Sequence, residues 1–194
     1  VSAILIRPRR ATHLLVLGHG AGADMRSSSM QNIAEHLAER GIATFRYNFP
    51  FKEYGRGGVD SPKVATATVR AAVAEARRIE PKLTLLAGGH SFGGRMTTTA
   101  QSESPLDDVK GLVLFSFPLH APNRPNNSRA AHLNAIKIPM LFLSGTRDAL
   151  NDLVLFRPVI KKLGNRATLH LLDTADHSYK VLKKTRTSTE DVFA

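Results

Sequence analysis

The sequence LLAGGHSFGGRM, residues 85–96, places a serine between glycines where an apolar run meets a helix-like segment. The run KLTLLAG before it predicts a strand, and FGGRMTTTAQSE after it predicts a helix. Gly89 and Gly93 leave room for a strained turn, because larger side chains there would clash with the adjoining strand and helix. Ser91 is therefore either an exposed nucleophile at a helix N-terminus or part of an ordinary glycine-rich turn, as in nucleotide-binding folds.

Strand patterns alternate with helical patterns along the rest of the chain. Strands are predicted over residues 2–7, 13–18, 42–48, 82–88, 111–117, 138–145 and 167–173, and helices over 28–41, 63–80, 92–103, 150–164 and 178–185. The first two strands flank a basic turn and predict a hairpin. The alternation predicts a single α/β domain over residues 1–194, with helices on both faces of a mostly parallel sheet of about seven strands. Segment 118–137 is rich in Pro and Asn and predicts a loop with one short helical turn, too short for a large lid domain.

Composition excludes several kinds of chemistry. The chain has 194 residues, of which 42 % are hydrophobic. No apolar run approaches the roughly 20 residues that a membrane span needs, and no leader pattern opens the sequence, so we expect a cytoplasmic protein without membrane contact. The absence of cysteine excludes disulfides, zinc–thiolate sites and cysteine nucleophiles. No cluster of His and Asp has the spacing of metal ligands, and we expect neither a metal nor a cofactor.

The net charge of +11 raises the question of a nucleic-acid partner. The basic residues are spread along the chain rather than gathered in one tail, and aromatic residues make up only 6 %. We therefore expect a basic, solvated surface, and nucleic acid is not a predicted partner. The same charge would favour anionic substrates.

A nucleophilic serine needs a base within hydrogen-bonding reach. His177 in DTADHSY follows the last predicted strand. Loops after parallel strands meet at one edge of a sheet, which is also the predicted edge for Ser91, so His177 is the predicted base. The other histidines outside the glycine-rich turns have no such position: His36 lies on a helix, His170 lies within a strand, and His13, His120 and His132 lie in or near loops as expected surface residues without a predicted partner.

The base needs an acid that orients it. Asp148 in PMLFLSGTRDAL follows another strand and is the predicted acid, although an aspartate there could instead cap the next helix. Asp152, Asp173 and Asp176 are rivals. The last two are so close in sequence to His177 that we expect them to stabilise a turn.

Backbone N–H groups would stabilise negative charge on a carbonyl oxygen bound beside Ser91. One predicted donor is the N–H of Phe92, directly after the serine. The second is the N–H of Ala21 in GHGAGADM, a glycine-rich segment whose backbone can approach a ligand closely. The alternative is that this segment is simply a tight turn. His19 in the same segment is expected to make structural hydrogen bonds rather than act as a second base.

The segments GHGAGADM, FRYNFPF, GGHSFGGRM, LSGTRDAL and ADHSY together resemble the α/β-hydrolase superfamily, and more narrowly its small lid-less branch of dienelactone-hydrolase-like proteins. That branch includes a testis-expressed eukaryotic relative and a subunit of a histone-acetyltransferase complex. The resemblance runs from about residue 3 to the C-terminus. It implies a nucleophile at Ser91, an acid at Asp148, a base at His177 and oxyanion donors at Ala21 and Phe92. Dienelactone hydrolases use a cysteine nucleophile, which this chain lacks, so the resemblance does not imply that activity.

Polar residues near the same edge have two interpretations. Arg46, Asn48, Arg95 and Asp24 either form an anion-recognising substrate pocket or form a buried network of salt bridges and hydrogen bonds that holds the loops. A buried arginine and aspartate need each other, which favours the network.

The sequence therefore predicts a cofactor-independent serine hydrolase that cleaves small soluble carboxylic esters through an acyl-enzyme. Thioesters, amides and lactones stay open as substrates, and the oligomeric state is not predicted. The alternative is a non-catalytic interaction module in a larger complex, which the chromatin-associated relative suggests. The joint presence of Ser91, Asp148, His177 and both glycine-rich turns favours an enzyme, because a binding module has no need of them.

Overall fold

A computed structural model describes residues 1–183 of the chain. Its strands are β1 (Ala3–Ile6), β2 (His13–Gly18), β3 (Ile42–Tyr47), β4 (Thr84–His90), β5 (Val109–Phe115), β6 (Met140–Gly145) and β7 (Ala167–Leu172). Its α-helices are α1 (Ser28–Glu39), α2 (Pro50–Glu53), α3 (Pro62–Ile79), α4 (Phe92–Glu103) and α5 (Leu153–Leu163), and 3₁₀ segments cover Ser128–Ala135 and Gly164–Arg166.

Within residues 1–183 the seven strands form one sheet in the order β1-β3-β2-β4-β5-β6-β7. β1 is antiparallel to β3, and all other neighbouring strands are parallel. The predicted mostly parallel sheet is confirmed. The loops after β2, β4, β6 and β7 meet at one edge, because parallel strands present their carboxyl ends together. Between β5 and β6 the described chain holds loops and one 3₁₀ segment, without an inserted lid domain.

The predicted hairpin of the first two strands is wrong. β1 pairs with β3, whereas β2 lies between β3 and β4 with parallel partners on both sides. The burial of the two strands explains the difference. β2 is buried along nearly its whole length, which suits a central strand, and β1 alternates between exposed and half-buried residues, which suits an edge.

Apolar side chains pack on both faces of the sheet. Leu14 and Val16 of β2 join a large cluster that includes the inward faces of α3 and α4. Leu15 and Leu17 point to the opposite face and join a smaller cluster with residues of α1. The helices therefore cover both faces, as predicted, and the site described below lies where these layers end.

Two helix predictions from the sequence have different outcomes. α3 starts as predicted, with Ser61 Oγ accepting the N–H of Val64 at 3.4 Å and Pro62 in the first turn. The helix predicted over 178–185 does not form over 178–182, because Asp176 Oδ1 accepts the N–H of Lys180 and fixes a turn, in which Tyr179 has φ 61°. Positions 184 and 185 lie outside the described residues.

Among the helices of residues 1–183, none combines the length and the apolar character that crossing a bilayer requires.

Candidate active site

Ser91 lies on a strained turn between β4 and α4. Its backbone has φ 50° and ψ −111°. Non-glycine residues rarely adopt this region, which costs about 1–3 kcal/mol. A Cβ atom at Gly89 would lie 2.5 Å from the Gly18 carbonyl oxygen, and one at Gly93 would overlap that oxygen. The sequence predicted that the two glycines avoid a clash with the adjoining strand and helix; the nearest atom to both is instead the Gly18 carbonyl oxygen at the end of β2, with backbone atoms of α4 also close to Gly89.

His177 lies directly beside this serine. Its Nε2 atom is 2.9 Å from Ser91 Oγ, and its Nδ1 atom is 2.8 and 2.9 Å from the two carboxylate oxygens of Asp148. A carboxylate accepts but does not donate, so Nδ1 carries the proton and Nε2 presents its lone pair to the serine hydroxyl. In this tautomer the histidine can take a proton from Ser91.

Asp148 follows β6, and its side chain is fully buried. Its Oδ1 atom also accepts the N–H of Leu150 at 2.8 Å, which fixes the carboxylate in the loop. The rival aspartates have other contacts: Asp152 caps α5, Asp173 accepts a hydrogen bond from Thr146, and Asp176 accepts the N–H groups of Ser178 and Lys180. The structure thus brings together the serine, histidine and aspartate that the sequence predicted.

The glycine-rich segment after β2 lies against the serine. A Cβ atom at Gly20 would lie 3.6 Å from Ser91 Cβ. Within residues 1–183, the backbone N–H groups of Ala21 and Phe92 have no hydrogen-bond acceptor. Phe92 is also the first residue of α4, whose N-terminal end carries partial positive charge. Two N–H groups without an acceptor therefore lie next to Ser91 in the chain or next to Gly20, which packs against it.

His19 fixes the backbone of the same segment. Its Nδ1 atom donates to the Gly20 carbonyl at 2.8 Å, and its Nε2 atom accepts the N–H of Phe49 at 3.0 Å. Burial lowers the pKa of His19, which keeps the imidazole neutral and able to accept. This is the structural role that the sequence predicted.

Arg46 and Asn48 also hold this segment. The buried Arg46 guanidinium donates to the Met25 carbonyl at 3.0 Å, and Asn48 Oδ1 accepts the Met25 N–H at 3.0 Å. The predicted pairing with Asp24 does not form within the described residues, because Asp24 Oδ1 accepts a backbone N–H instead. These contacts favour the loop-holding network, made of hydrogen bonds to the backbone rather than salt bridges. A contact of Arg46 or Asn48 with substrate stays a prediction.

His90 is a site residue that the sequence analysis did not single out. Its Nε2 atom donates to the His177 carbonyl at 3.0 Å, and its ring centroid is 5.3 Å from that of His177. Its Nδ1 atom would lie 2.9 Å from a Cβ atom at Gly20. His90 thus bonds to the loop of His177 and lies against the glycine-rich segment after β2. The only local signal was its place before Ser91.

His120 and His132 are not the surface residues that we expected. His120 is 3 % exposed, and its Nε2 atom accepts the N–H of Asp152 at 3.2 Å, which ties the loop after β5 to the loop of Asp148. His132 is half-buried and donates to Thr98 Oγ1 at 2.8 Å. Both partners are distant in sequence, so neither contact had a local signal. In the described part of the chain, no three His, Asp or Glu side chains converge as a metal site would require.

Comparison with solved structures identifies the same fold in several hydrolases. A dienelactone hydrolase from Anabaena variabilis superimposes with a TM-score of 0.75 at 20 % identity, over 92 % of this chain and 82 % of that one. Est1E from Butyrivibrio proteoclasticus, solved with ferulic acid bound, gives 0.72 at 17 %, over 92 % and 88 %. A serine hydrolase without a lid from Xanthomonas campestris gives 0.70 at 20 %, over 91 % and 80 %.

The family relationship follows from the sequence as well as from the fold. The family model described as the alpha/beta hydrolase domain matches residues 11–194. That range contains the strained serine turn, both glycine-rich segments and the loops of Asp148 and His177. This chain belongs to the alpha/beta hydrolase family.

Proposed function

We propose that this chain is a serine hydrolase that cleaves small carboxylic esters. The observation that carries the proposal is the continuous hydrogen-bonded path from Ser91 Oγ through His177 to the buried carboxylate of Asp148. A serine held in a strained conformation beside an imidazole that a buried carboxylate orients is the arrangement that nucleophilic catalysis requires. At the level of fold, the neighbour solved with ferulic acid and the lid-less serine hydrolase support the same chemistry.

Acylation begins when His177 Nε2 takes the hydroxyl proton of Ser91, across the 2.9 Å that separate the two atoms. The serine oxygen then attacks the ester carbonyl carbon, and the carbonyl π electrons move to its oxygen. Asp148 stabilises the imidazolium that forms and keeps the ring in place. When the tetrahedral intermediate collapses, the bond to the alcohol breaks and His177 returns its proton to the leaving oxygen.

The developing oxyanion would accept hydrogen bonds from the N–H groups of Phe92 and Ala21. Both N–H groups lack another acceptor within residues 1–183, so they can donate to this oxygen without breaking an existing bond. The contacts of His19, Arg46 and Asn48 fix the segment that carries Ala21. This fixed geometry means that little reorganisation accompanies the reaction.

Deacylation repeats the steps of acylation with water as the nucleophile. His177 removes a proton from a water molecule, the resulting hydroxide attacks the acyl carbon, and the serine oxygen leaves with the proton from His177. The products are a carboxylic acid and the free enzyme. The described chain has no inserted lid domain over the site, which suits small, soluble esters better than lipid aggregates.

Hydrolysis of p-nitrophenyl acetate and butyrate tests the proposal. We expect Ser91→Ala to lower kcat/KM by roughly 10³-fold or more with the fold unchanged by circular dichroism. Ser102→Ala is the matched control, because the Ser102 hydroxyl lies on α4 and donates to the Thr99 carbonyl. Equal activity of the Ser91 variant and the wild type would refute the proposal. Absence of turnover on a broad panel of esters would favour the non-catalytic interaction module instead.

A further inference from the structure

A cavity of about 310 Å³ lies along α4, shortly after Ser91. The start of α3 and the 3₁₀ segment 128–135 form its other walls. Arg95 and Met96 of its lining lie in the first turns of α4, so the cavity adjoins the helix whose N-terminal end carries the Ser91 turn. Among the described residues that line it, Arg95 and Arg129 are the charged ones, and none is a carboxylate.

Arg95 lies one helical turn after the serine, and its backbone N–H donates to the Ser91 carbonyl at 3.0 Å. The residue is half-buried. Within residues 1–183 its guanidinium has neither an ion-pair partner nor a hydrogen-bond acceptor. Burial, together with the charge of Arg129, lowers the pKa of Arg95. A guanidinium remains charged at neutral pH nonetheless, so the charge is present, and no carboxylate of residues 1–183 compensates it.

Arg129 is fixed on the opposite wall. One of its terminal nitrogens donates to the His120 carbonyl at 2.8 Å. In the described part of the chain, the other N–H groups of its guanidinium have no acceptor, and no carboxylate lies within ion-pair distance. The bond to His120 orients the planar group without neutralising it.

His132 adds a polar wall but no charge. It donates to Thr98 Oγ1 at 2.8 Å, and that hydroxyl donates in turn to the Arg95 carbonyl at 2.8 Å. Burial, and secondarily the charge of Arg95, lowers the pKa of His132 to about 4. At neutral pH the positive charge of the cavity therefore comes from the two arginines.

Two like charges in a partly dehydrated cavity repel each other and lose hydration, and an anion between them would reverse both effects. Guanidinium groups bind carboxylate and phosphate oxygens in a paired, directional geometry. We infer that this cavity binds an anionic oxygen group, carboxylate or phosphate, carried by the ester that Ser91 attacks. That the anionic group belongs to an ester substrate rests on the proposed function. Binding of the anion itself does not depend on turnover.

Direct binding tests the site without relying on activity. The probes are benzoate, phenyl phosphate and benzamide, titrated at low salt and followed by protein NMR. Benzamide matches benzoate in shape and lacks its charge. We expect at least one anion to bind more tightly than benzamide and to weaken about tenfold in Arg95→Met and in Arg129→Met, since a hydrogen bond to a charged group is involved. Arg157→Met, which removes an exposed arginine on α5, controls for the general loss of charge.

The result that would overturn the anion site is equal binding of all three probes, or anion binding that falls as much in Arg157→Met as in the cavity variants. A second measurement separates this outcome from failure of the proposed function. The ratio of kcat/KM for 4-acetoxybenzoate to that for phenyl acetate should fall about tenfold in the cavity variants. Turnover of phenyl acetate without a preference for the anionic ester would refute this inference but leave the proposed hydrolase function intact. Anion binding without turnover of any ester would refute the proposed hydrolase function but leave the anion site intact.

Discussion

His177 Nε2 lies 2.9 Å from Ser91 Oγ, although 86 positions separate the two residues in the chain. The contact exists because β4 and β7 end at the same edge of the sheet and each is followed by a tight turn.

Asp148→Asn tests the orientation of the imidazole. An amide in place of the carboxylate can donate to Nδ1, which favours the tautomer whose Nε2 carries the proton and cannot accept from Ser91. We expect kcat for p-nitrophenyl acetate to fall by roughly 10³–10⁴-fold with little change in KM. Asp152→Asn is the control, because asparagine caps α5 as well as aspartate does. Wild-type kcat in the Asp148 variant would contradict the assigned role.

His90→Phe tests whether the residue before the serine positions the base. The variant loses the 3.0 Å hydrogen bond to the His177 carbonyl and keeps a ring of similar size. We expect kcat to fall about tenfold, the effect of a 1.4 kcal/mol loss, with KM unchanged. His90→Gln retains an N–H donor and should recover part of the rate. If the two variants have the same kcat as the wild type, His90 does not position His177.

Gly93→Ala tests the packing that holds the serine turn. A methyl group there would overlap the Gly18 carbonyl oxygen, and backbone atoms cannot move aside cheaply. The free energy of unfolding, measured with urea, should fall by about 1–3 kcal/mol and ester hydrolysis should be lost. Gly57→Ala is the matched control, since a methyl group at Gly57 meets no atom within 4 Å. Equal stability of the two variants would contradict the described geometry.

The turn could be predicted from sequence because all its determinants are local. Gly89, Ser91 and Gly93 lie within five positions, and the strand before them and the helix after them are continuous apolar and amphipathic runs. Asp148 and His177 could be placed because parallel strands share a carboxyl edge, so knowing that a residue follows a strand is enough. The pairing of β1 with β3 could not be predicted in this way. The partner of an edge strand depends on which of the other strands already have neighbouring strands on both sides.

Side-chain contacts between residues distant in sequence could not be predicted either, because they depend on how the chain folds and not on the local sequence. The contact of His90 with the His177 carbonyl spans 87 positions, and that of His132 with Thr98 spans 34. Neither produces a pattern in its own segment. Arg129 likewise was not a candidate, because only the folded chain places it across a cavity from Arg95.

The pH dependence of stability should reveal the half-buried imidazole of His132. Its folded-state pKa of about 4 lies below the ordinary value of 6.5. Between these values the unfolded chain binds a proton that the folded chain does not, so the free energy of unfolding falls as the pH drops from about 6.5 towards 4. His132→Gln keeps a donor for Thr98 but cannot titrate. The slope of unfolding free energy against pH should therefore decrease, by an amount that corresponds to at most one bound proton.

The control for this measurement is His170→Gln, which replaces an exposed histidine of β7. This variant removes an exposed histidine and leaves His132 in place, so it shows whether a change of slope is specific to His132. An unchanged slope in the His132 variant would mean that this imidazole is not held neutral in the folded protein.

Labelling with a fluorophosphonate probe tests whether Ser91 is an activated nucleophile, because the probe reacts covalently with activated serines whatever their substrate. The wild type, Ser91→Ala and His177→Ala would be labelled in parallel, and the modified peptide of the wild type mapped by mass spectrometry. We expect labelling of the wild type alone, at Ser91. A folded wild type that stays unlabelled, or labelling that persists in Ser91→Ala, would contradict this expectation.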